Sequence, residues 1–183
     1  MNGNNISIET QRLVIKVIQP ADAGKMFEYR SDPRVSKFQN WKPVNYESII
    51  KFINENLNVK INQADTWKQF GIYSKNDGGL IGDIGMHFLD PQNSVVEIGF
   101  TLSPENQGFG YGCEAVSAII QYLFKKLEKH RIIASTDPRN DRSIALLKRV
   151  GMRKEAHFKK SFLTNGEWVD DIIFALLEEE YKK

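Results

Sequence analysis

The sequence predicts a single mixed α/β (α+β) domain, in which about four helices flank a mostly antiparallel central sheet of about six to seven strands. Three observations support this fold class. Apolar and polar residues alternate in many segments, other segments show helical spacing, and no repeat or linker separates them. A strand, a helix and a second strand follow one another after residue 95, which predicts one parallel pair. We therefore expect one domain over residues 1–183.

The first half of the chain predicts helices between strands. Apolar residues at Leu13, Ile15 and Val17 alternate up to Pro20 and predict the first strand. A helix is expected from residue 21 until Pro33 closes it, and another over residues 46–57. Further strands are predicted at 67–73, 80–89 and 95–102, joined by turns at 74–79 and 90–93. These three strands should form an antiparallel meander.

The second half contains the strongest helical pattern of the sequence. Apolar residues recur at i, i+3 and i+4 between Ala115 and Leu127 and predict a long amphipathic helix. A short buried strand is expected at 131–136, and a helix at 143–150 that Gly151 ends. Two final strands are expected at 153–163 and 167–177.

The composition is that of a folded protein, with 41% hydrophobic and 26% charged residues. The single cysteine, Cys113, excludes an internal disulfide framework. The N-terminus lacks a basic segment followed by an apolar stretch, and no apolar run approaches the roughly 18 to 20 residues of a membrane span. A formal net charge of +2 is too small for a dedicated nucleic-acid binder. We expect a cytoplasmic protein with no nucleic-acid or membrane partner.

Three alternate glycines, Gly108, Gly110 and Gly112, lie between the strand at 95–102 and the long helix. Glycine permits positive φ and the close approach of a ligand, and a helix start favours an anion. A phosphate or pyrophosphate is therefore the expected ligand, although a flexible turn is the alternative. A dinucleotide fingerprint fits poorly, because Cys113 occupies its sixth position. A Walker A loop does not fit, because Cys113 and Glu114 follow the last glycine.

The segment Gln107-x-x-Gly110-x-Gly112 resembles the acetyl-CoA motif of the GNAT N-acetyltransferase superfamily, and it lies between a strand and a helix as that motif does. Further similarities extend over nearly the whole chain. They are Thr10-Gln11-Arg12-Leu13, Glu97-Ile98-Gly99-Phe100, Asn140-x-x-Ser143, Lys148-x-x-Gly151-Met152 and Trp168-x-Asp170. Together they resemble the branch of ribosomal-protein N-terminal alanine and serine acetyltransferases.

This resemblance implies a GNAT-like domain that uses acetyl-CoA as cosubstrate and needs no metal. Backbone groups of Phe100, Thr101 and Leu102 are then expected to pair with the pantetheine arm as an added strand. Gln107 is expected to shape the loop, while Asn140 and Ser143 approach the pantetheine and sulfur. The pyrophosphate is expected to bind the amides of Gly108, Phe109, Gly110, Tyr111, Gly112 and Cys113.

Direct acyl transfer needs an uncharged amine and a route for its proton. An α-amine is roughly one-tenth neutral at pH 7, against fewer than about one lysine amine in a thousand. Glu97 is the candidate base, with a structural ion pair as the alternative. Many GNAT enzymes have a Tyr where this chain has Leu147, which cannot donate a proton. Ser143 is the candidate for the missing hydrogen bond to sulfur.

Two further site hypotheses concern Cys113 and the aromatic residues. Cys113 lies in the first turn of the long helix, so an acyl-cysteine intermediate is an alternative to direct transfer. The three histidines are scattered and predict no metal site. Phe38, Trp41 and Tyr46 either contact the acceptor or complete a small core.

The sequence therefore predicts an N-acetyltransferase that moves an acetyl group to a primary amine by direct attack, with a protein or peptide N-terminus favoured. A small amine, an amino acid or an antibiotic is an alternative acceptor. A noncatalytic acyl-CoA-binding regulatory module is an alternative function. The oligomeric state is open between monomer and homodimer.

Overall fold

The computed structural model describes residues 6–39, 41–90, 92, 94–164 and 166–181. These residues form an eight-stranded sheet with α-helices on both faces. The strands are β1 (Ser7–Glu9), β2 (Leu13–Val17), β3 (Thr66–Ser74), β4 (Leu80–Phe88), β5 (Val95–Leu102), β6 (Arg131–Thr136), β7 (Arg153–Thr164) and β8 (Glu167–Leu177). The α-helices are α1 (Ala23–Ser31), α2 (Pro33–Ser36), α3 (Tyr46–Asn58), α4 (Tyr111–Lys125) and α5 (Asp141–Arg149).

The sheet has the order β1-β2-β3-β4-β5-β6-β8-β7. Every neighbouring pair is antiparallel except β5 and β6, which run parallel and are connected through α4. This arrangement confirms a mostly antiparallel sheet with one embedded βαβ unit. The turn predicted at 90–93 lies partly outside the described residues.

The eight strands and five helices of the described ranges exceed the expected counts by one each. The added strand is β1, which has only three residues and pairs Ile8 with Ile15 of β2. The added helix is α2, which has Pro33 in its first turn and Asp32 as its N-cap. Proline favours the first turn of a helix because its missing N–H has no partner there. Pro33 therefore opens α2 as well as ending α1, whereas the sequence predicts only the end of a helix there.

β5 and β6 separate along their length, and this separation defines the central gap of the fold. They pair only where Val95, Val96 and Glu97 face Arg131, Ile132 and Ile133. Beyond Glu97, the pairs that the structure describes for β5 join it to β4, while β6 continues on β8. One edge of residues 98–102 therefore faces the gap with its backbone donors and acceptors unused by the sheet.

The two faces of the sheet pack against different helices. On one face, α4 buries an apolar stripe in the main core, together with Leu147 of α5. That stripe consists of Ala115, Val116, Ile119, Ile120 and Leu123, as its periodicity predicts. On the other face, α1 and α3 cover β3 and β4 through a second cluster that includes Met26, Ile49 and Ile53. Glu97, Gly99 and Thr101 belong to this second face, because strand residues alternate between faces and Val96 and Ile98 lie in the main core.

A buried carboxylate attaches α1 to the second face. Asp83 of β4 is fully buried and pairs with Arg30. The Tyr29 hydroxyl donates to Asp83 Oδ2 at 2.5 Å, and the Gln69 amide donates to Oδ1. Burial, followed by the negative charge of Asp83, raises the pKa of Tyr29 well above its usual value, which keeps its hydroxyl a donor. A buried charge is tolerated only when paired in this way, so this cluster fixes the helix that borders the site.

Candidate active site

The three glycines of the loop between β5 and α4 have two different structural roles. Gly108 and Gly110 have φ angles of 89° and 83°, a left-handed backbone that side chains disfavour. Gly112 instead allows close packing, because a Cβ there would lie 2.7 Å from the Leu146 side chain of α5. The first two glycines therefore shape the loop, and the third lets α4 approach α5.

The N-terminus of α4 is open for an anion. Gly110 is its N-cap and, having no side chain, forms no capping hydrogen bond. The first N–H groups of a helix lack partners within the helix, and its dipole favours negative charge there. Gly108, Phe109 and Gly110 are exposed, so a ligand can reach these amides. The geometry fits a phosphate or pyrophosphate group.

Gln107 connects the loop with both neighbouring elements. Its side-chain nitrogen donates to the carbonyl oxygen of Leu102 at 2.9 Å, at the end of β5. Its side-chain oxygen accepts from Arg142 Nη1 of α5 at 2.6 Å. Gln107 thus holds the loop between the open strand edge and the start of α5.

The N-terminal segment holds the loop from the other side. Glu114 of α4 accepts from the Thr10 hydroxyl at 2.6 Å and from Arg12 Nε at 2.7 Å. Arg12 also donates to the Phe109 carbonyl at 3.0 Å and lies over the Tyr111 ring at 4.5 Å. We refer to Thr10, Arg12 and Glu114 as the loop clasp. Thr10 and Arg12 belong to a motif recognised in the sequence by resemblance alone. Nothing in their spacing could connect them with a glutamate about a hundred residues away.

The loop clasp gives a first testable prediction. Arg12→Gln should weaken acetyl-CoA binding by about five- to tenfold, because the loop loses a bond to Phe109 and a charge next to the anion site. Calorimetric titration of the variant with acetyl-CoA measures this change. Arg153→Gln, which removes an arginine paired with Glu155 on β7, is the control and should leave the affinity unchanged. Equal affinity of the Arg12 variant and the unmodified protein would mean that the clasp is structural only.

Glu97 lies at the apex of the gap, at the last residue where β5 still pairs with β6. Its side chain is 25% exposed, and its Oε2 lies 3.5 Å from His87 Nδ1. Burial raises the pKa of Glu97; the neighbouring His87 acts against this shift, and the charge of Asp171 adds to it. The site therefore contains a half-buried carboxylate with increased proton affinity, beside the open edge of β5.

Asn140 and Ser143 lie at the start of α5. Asn140 is the N-cap, and its side-chain oxygen accepts from the Ser143 N–H at 3.2 Å. The resemblance implied only a coenzyme contact for Asn140, and the capping role is an additional one. Gln107 and Arg142 bring this helix start next to the glycine loop. Leu147 is fully buried in the main core and offers no proton donor to the gap.

Cys113 is half-buried in the first turn of α4. The described polar side-chain contacts of the histidines join His87 to Glu97 and His157 to Asp170, and none of them reaches Cys113. In the ranges that the structure covers, no three His, Cys, Asp or Glu side chains form a group able to hold a metal ion. None of the helices in those ranges has the length and apolar character needed to cross a bilayer.

The aromatic residues that were expected either to contact the acceptor or to complete a small core are mostly engaged in packing. Trp41 stacks on Phe52 at 4.7 Å between ring centres, and the Arg30 guanidinium lies 5.2 Å from its ring. Tyr46 meets Phe27 edge to face at 6.1 Å. These contacts favour the packing role over acceptor contact for both side chains. Phe38 lies under the ammonium of Lys37.

An open strand edge, an uncapped glycine-rich helix start and a carboxylate at the apex of the gap are the features expected of an acyltransferase that binds an extended, pyrophosphate-bearing coenzyme. Residues 12–153 match the family model described as "Acetyltransferase (GNAT) domain". The chain therefore belongs to the GNAT acetyltransferase family, whose members use acetyl-CoA, and it is an N-acetyltransferase.

Curated relatives and a solved structure agree with this assignment. The chain is 34% identical over 174 residues to the "Uncharacterized N-acetyltransferase YnaD" of Bacillus subtilis, covering 95% of this chain and 98% of the relative. It is 27% identical over 190 residues to the "[Ribosomal protein uS5]-alanine N-acetyltransferase" of Escherichia coli, covering 98% and 95%. A GNAT-family acetyltransferase structure from Bacillus anthracis aligns with a TM-score of 0.86 at 32% identity, covering 95% of this chain and 99% of that one.

Proposed function

We propose that this enzyme transfers an acetyl group from acetyl-CoA to a protein or peptide N-terminal α-amine, by direct attack of the amine on the thioester. One observation carries the proposal. The Glu97 carboxylate, with its raised pKa, lies where β5 and β6 separate, beside the open edge of residues 98–102. A proton acceptor and a binding edge for an extended molecule therefore share one point in the fold.

The described geometry supports the coenzyme-binding roles in this proposal. The gap-facing edge of Phe100, Thr101 and Leu102 offers backbone groups to the pantetheine arm. The amides at the start of α4 hold the pyrophosphate, and Gln107 keeps them in place. Ser143, at the start of the neighbouring α5, positions the sulfur end, because its hydroxyl can donate a hydrogen bond and the buried side chain of Leu147 cannot.

The reaction requires the protein to position the amine next to the thioester and to supply one base. Acetyl-CoA supplies the acetyl group as a thioester. Glu97 accepts the proton that the amine loses as its nitrogen bonds to the acetyl carbon, while the carbon–sulfur bond breaks and the thiolate is later protonated from solvent. An α-amine suits this arrangement because its pKa of about 7.7 to 8.0 leaves an appreciable neutral fraction near pH 7.

The choice of a peptide N-terminus is supported by the relative named for acting on an alanine of ribosomal protein uS5. Small amines, amino acids and antibiotics are the competing acceptors. A catalytic domain over residues 1–183 and a cytoplasmic location stay predictions of this proposal.

The proposal is tested in two stages. Calorimetric titration with acetyl-CoA, and with NAD and ATP as comparison ligands, should show binding of acetyl-CoA alone. Thiol release is then followed with a panel of short peptides that begin with Ala, Ser or Met and a panel of small primary amines. Peptides blocked at the N-terminus are the matched controls. Binding without turnover on any amine would point to a noncatalytic acyl-CoA-binding module, and absence of binding would remove the coenzyme assignment.

A further inference from the structure

Trp67 is an exposed aromatic residue in a strand whose other residues are largely buried. It is 42% exposed, whereas residues 68–73 of β3 are buried. The strand register places Trp67 opposite His87 of β4, and His87 opposite Glu97 of β5. The three side chains therefore form one row across the second face of the sheet, and the row ends at the apex of the gap.

The indole is held by stacking and by two glycines. Its ring stacks on the His87 imidazole at 4.8 Å between centres, with 18° between the planes. Its six-membered ring extends over the next row, where Gly85 faces Gly99. A Cβ at Gly85 would lie 2.9 Å from indole Cε3, and a Cβ at Gly99 would lie 3.6 Å from Cη2. The absence of side chains at these positions lets the indole reach β5.

The far edge of this indole is next to the proposed site of reaction. Gly99 is two residues from Glu97 on the same strand, so both face the same side of the sheet. α4 and α5 occupy the opposite face, and their N-termini border the gap from there. An acceptor that approaches from the second face would therefore meet Glu97 and the edge of Trp67 together.

The side chains around this surface suit a positively charged amine. Indole is the strongest aromatic partner of a cation, and a carboxylate within a few ångström adds to the attraction. Glu97 supplies that carboxylate, and Asp65 supplies a second one, 3.6 Å from His87 Nε2. Arg30 of α1, which packs on the same face, is paired with Asp83.

We propose that Trp67, held by His87 and by Gly85 and Gly99, is a specificity-determining residue that binds the acceptor as an ammonium and holds its nitrogen beside Glu97. The bound ammonium first loses one proton to water, and Glu97 accepts the second as the neutral amine bonds to the acetyl carbon. This inference rests on the proposed acetyltransferase function and deepens it, because it assigns the acceptor's contact surface. The surface formed by Trp67 and Glu97 selects acceptors that carry a positive charge at or next to the reacting nitrogen. Trp67 contacts the acceptor and does not contact the coenzyme.

The test separates acceptor binding from chemistry. Trp67→Ala should raise the KM for the panel member that the unmodified enzyme turns over fastest by about tenfold, with kcat changed less than about threefold. Trp67→Phe, which keeps an aromatic face, should recover most of that loss. Calorimetric affinity for acetyl-CoA should stay the same in both variants. If Trp67→Ala fails to fold, Trp67→Leu keeps apolar packing on Gly85 without an aromatic ring and serves in its place.

The outcomes distinguish this inference from the function on which it rests. Trp168→Ala, which removes another exposed tryptophan, is the control and should leave the acceptor KM unchanged. An unchanged KM in Trp67→Ala, with the unmodified enzyme active, would overturn the role of Trp67 and leave the acetyltransferase activity intact. A parallel fall in kcat and in acetyl-CoA affinity would show a purely structural role for Trp67. Absence of turnover by the unmodified enzyme would overturn the activity and this inference together.

Discussion

Gly110→Asp should weaken acetyl-CoA binding by about a hundredfold. Gly110 has a φ of 83°, where a side chain is strained, and an added Cβ would lie 3.4 Å from Arg12 Nη2. The new carboxylate would stand at the N-cap of α4, beside the phosphates, and would compete with Glu114 for Arg12. Repulsion between like charges at this distance and the altered loop act in the same direction. Calorimetric titration with acetyl-CoA measures the loss.

Backbone strain alone must be separated from this effect, and Gly151→Asp is suited to do so. Gly151 has a similar φ of 91°, its added Cβ would meet nothing within 4 Å, and it follows the end of α5 rather than the loop. This control should lose some stability to denaturant yet bind acetyl-CoA as the unmodified protein does. Unchanged affinity in Gly110→Asp would contradict the position assigned to the pyrophosphate.

Glu97→Gln should lower kcat by about a hundredfold at pH 7 and by much less at pH 9. General-base catalysis contributes about 10² to 10⁴ in rate, and glutamine keeps the shape of the side chain without its basicity. At pH 9 most of an α-amine with a pKa of about 7.7 to 8.0 is already neutral, so the base matters less. Steady-state rates at both pH values test this. An equal loss at both would remove the assignment of Glu97 as the base.

The pH dependence of kcat/KM is an independent test of the role of Glu97. Burial raises the pKa of Glu97 above the ordinary value for glutamate, so its basic form is lost as the pH falls through a higher range than usual. Below the pKa of the amine, kcat/KM should fall more steeply where Glu97 also becomes protonated, and this additional fall should disappear in Glu97→Gln. Glu55→Gln, at an exposed position of α3, is the matched control and should keep both the additional fall and the rate.

Stability should not explain a loss of activity in Glu97→Gln. A carboxyl group whose pKa is higher in the folded state binds its proton more tightly there than in the unfolded chain. Its ionisation therefore costs stability as the pH rises through the unfolded and then the folded pKa. A neutral glutamine avoids this cost, so the variant should unfold at neutral pH at the same or a higher denaturant concentration. Urea unfolding of both proteins at pH 7 checks this.

The local patterns in the sequence were sufficient for most elements. β5 and β6 begin and end at the predicted residues, because each is a short, apolar-rich segment whose ends are marked by polar or turn-forming residues. The amphipathic periodicity between residues 115 and 127 identified α4, whose buried stripe has that spacing. β1 is too short for any period to show, and it exists because β2 offers an edge to pair with.

The candidate site was predictable only in part. The glycine loop was identified because its residue types and its place before a helix both reflect local backbone requirements. The loop clasp joins Thr10 and Arg12 to Glu114, and the row of Trp67, His87 and Glu97 joins three strands. Such neighbours become visible only once strand order and register are known, because sequence separation carries no information on them.

The sequence by itself determined the fold class, nearly all helices and strands, the position of the glycine loop and, by resemblance, the kind of coenzyme. These features depend on contacts within a few residues or on periodic burial, which a linear pattern records. The tertiary structure alone decided that Gly112 packs against α5, that Asn140 caps a helix, and that an indole stacks on His87 in the row that ends at Glu97. Each of these depends on which distant segments the sheet brings within contact distance, and that follows from the packing of the whole chain.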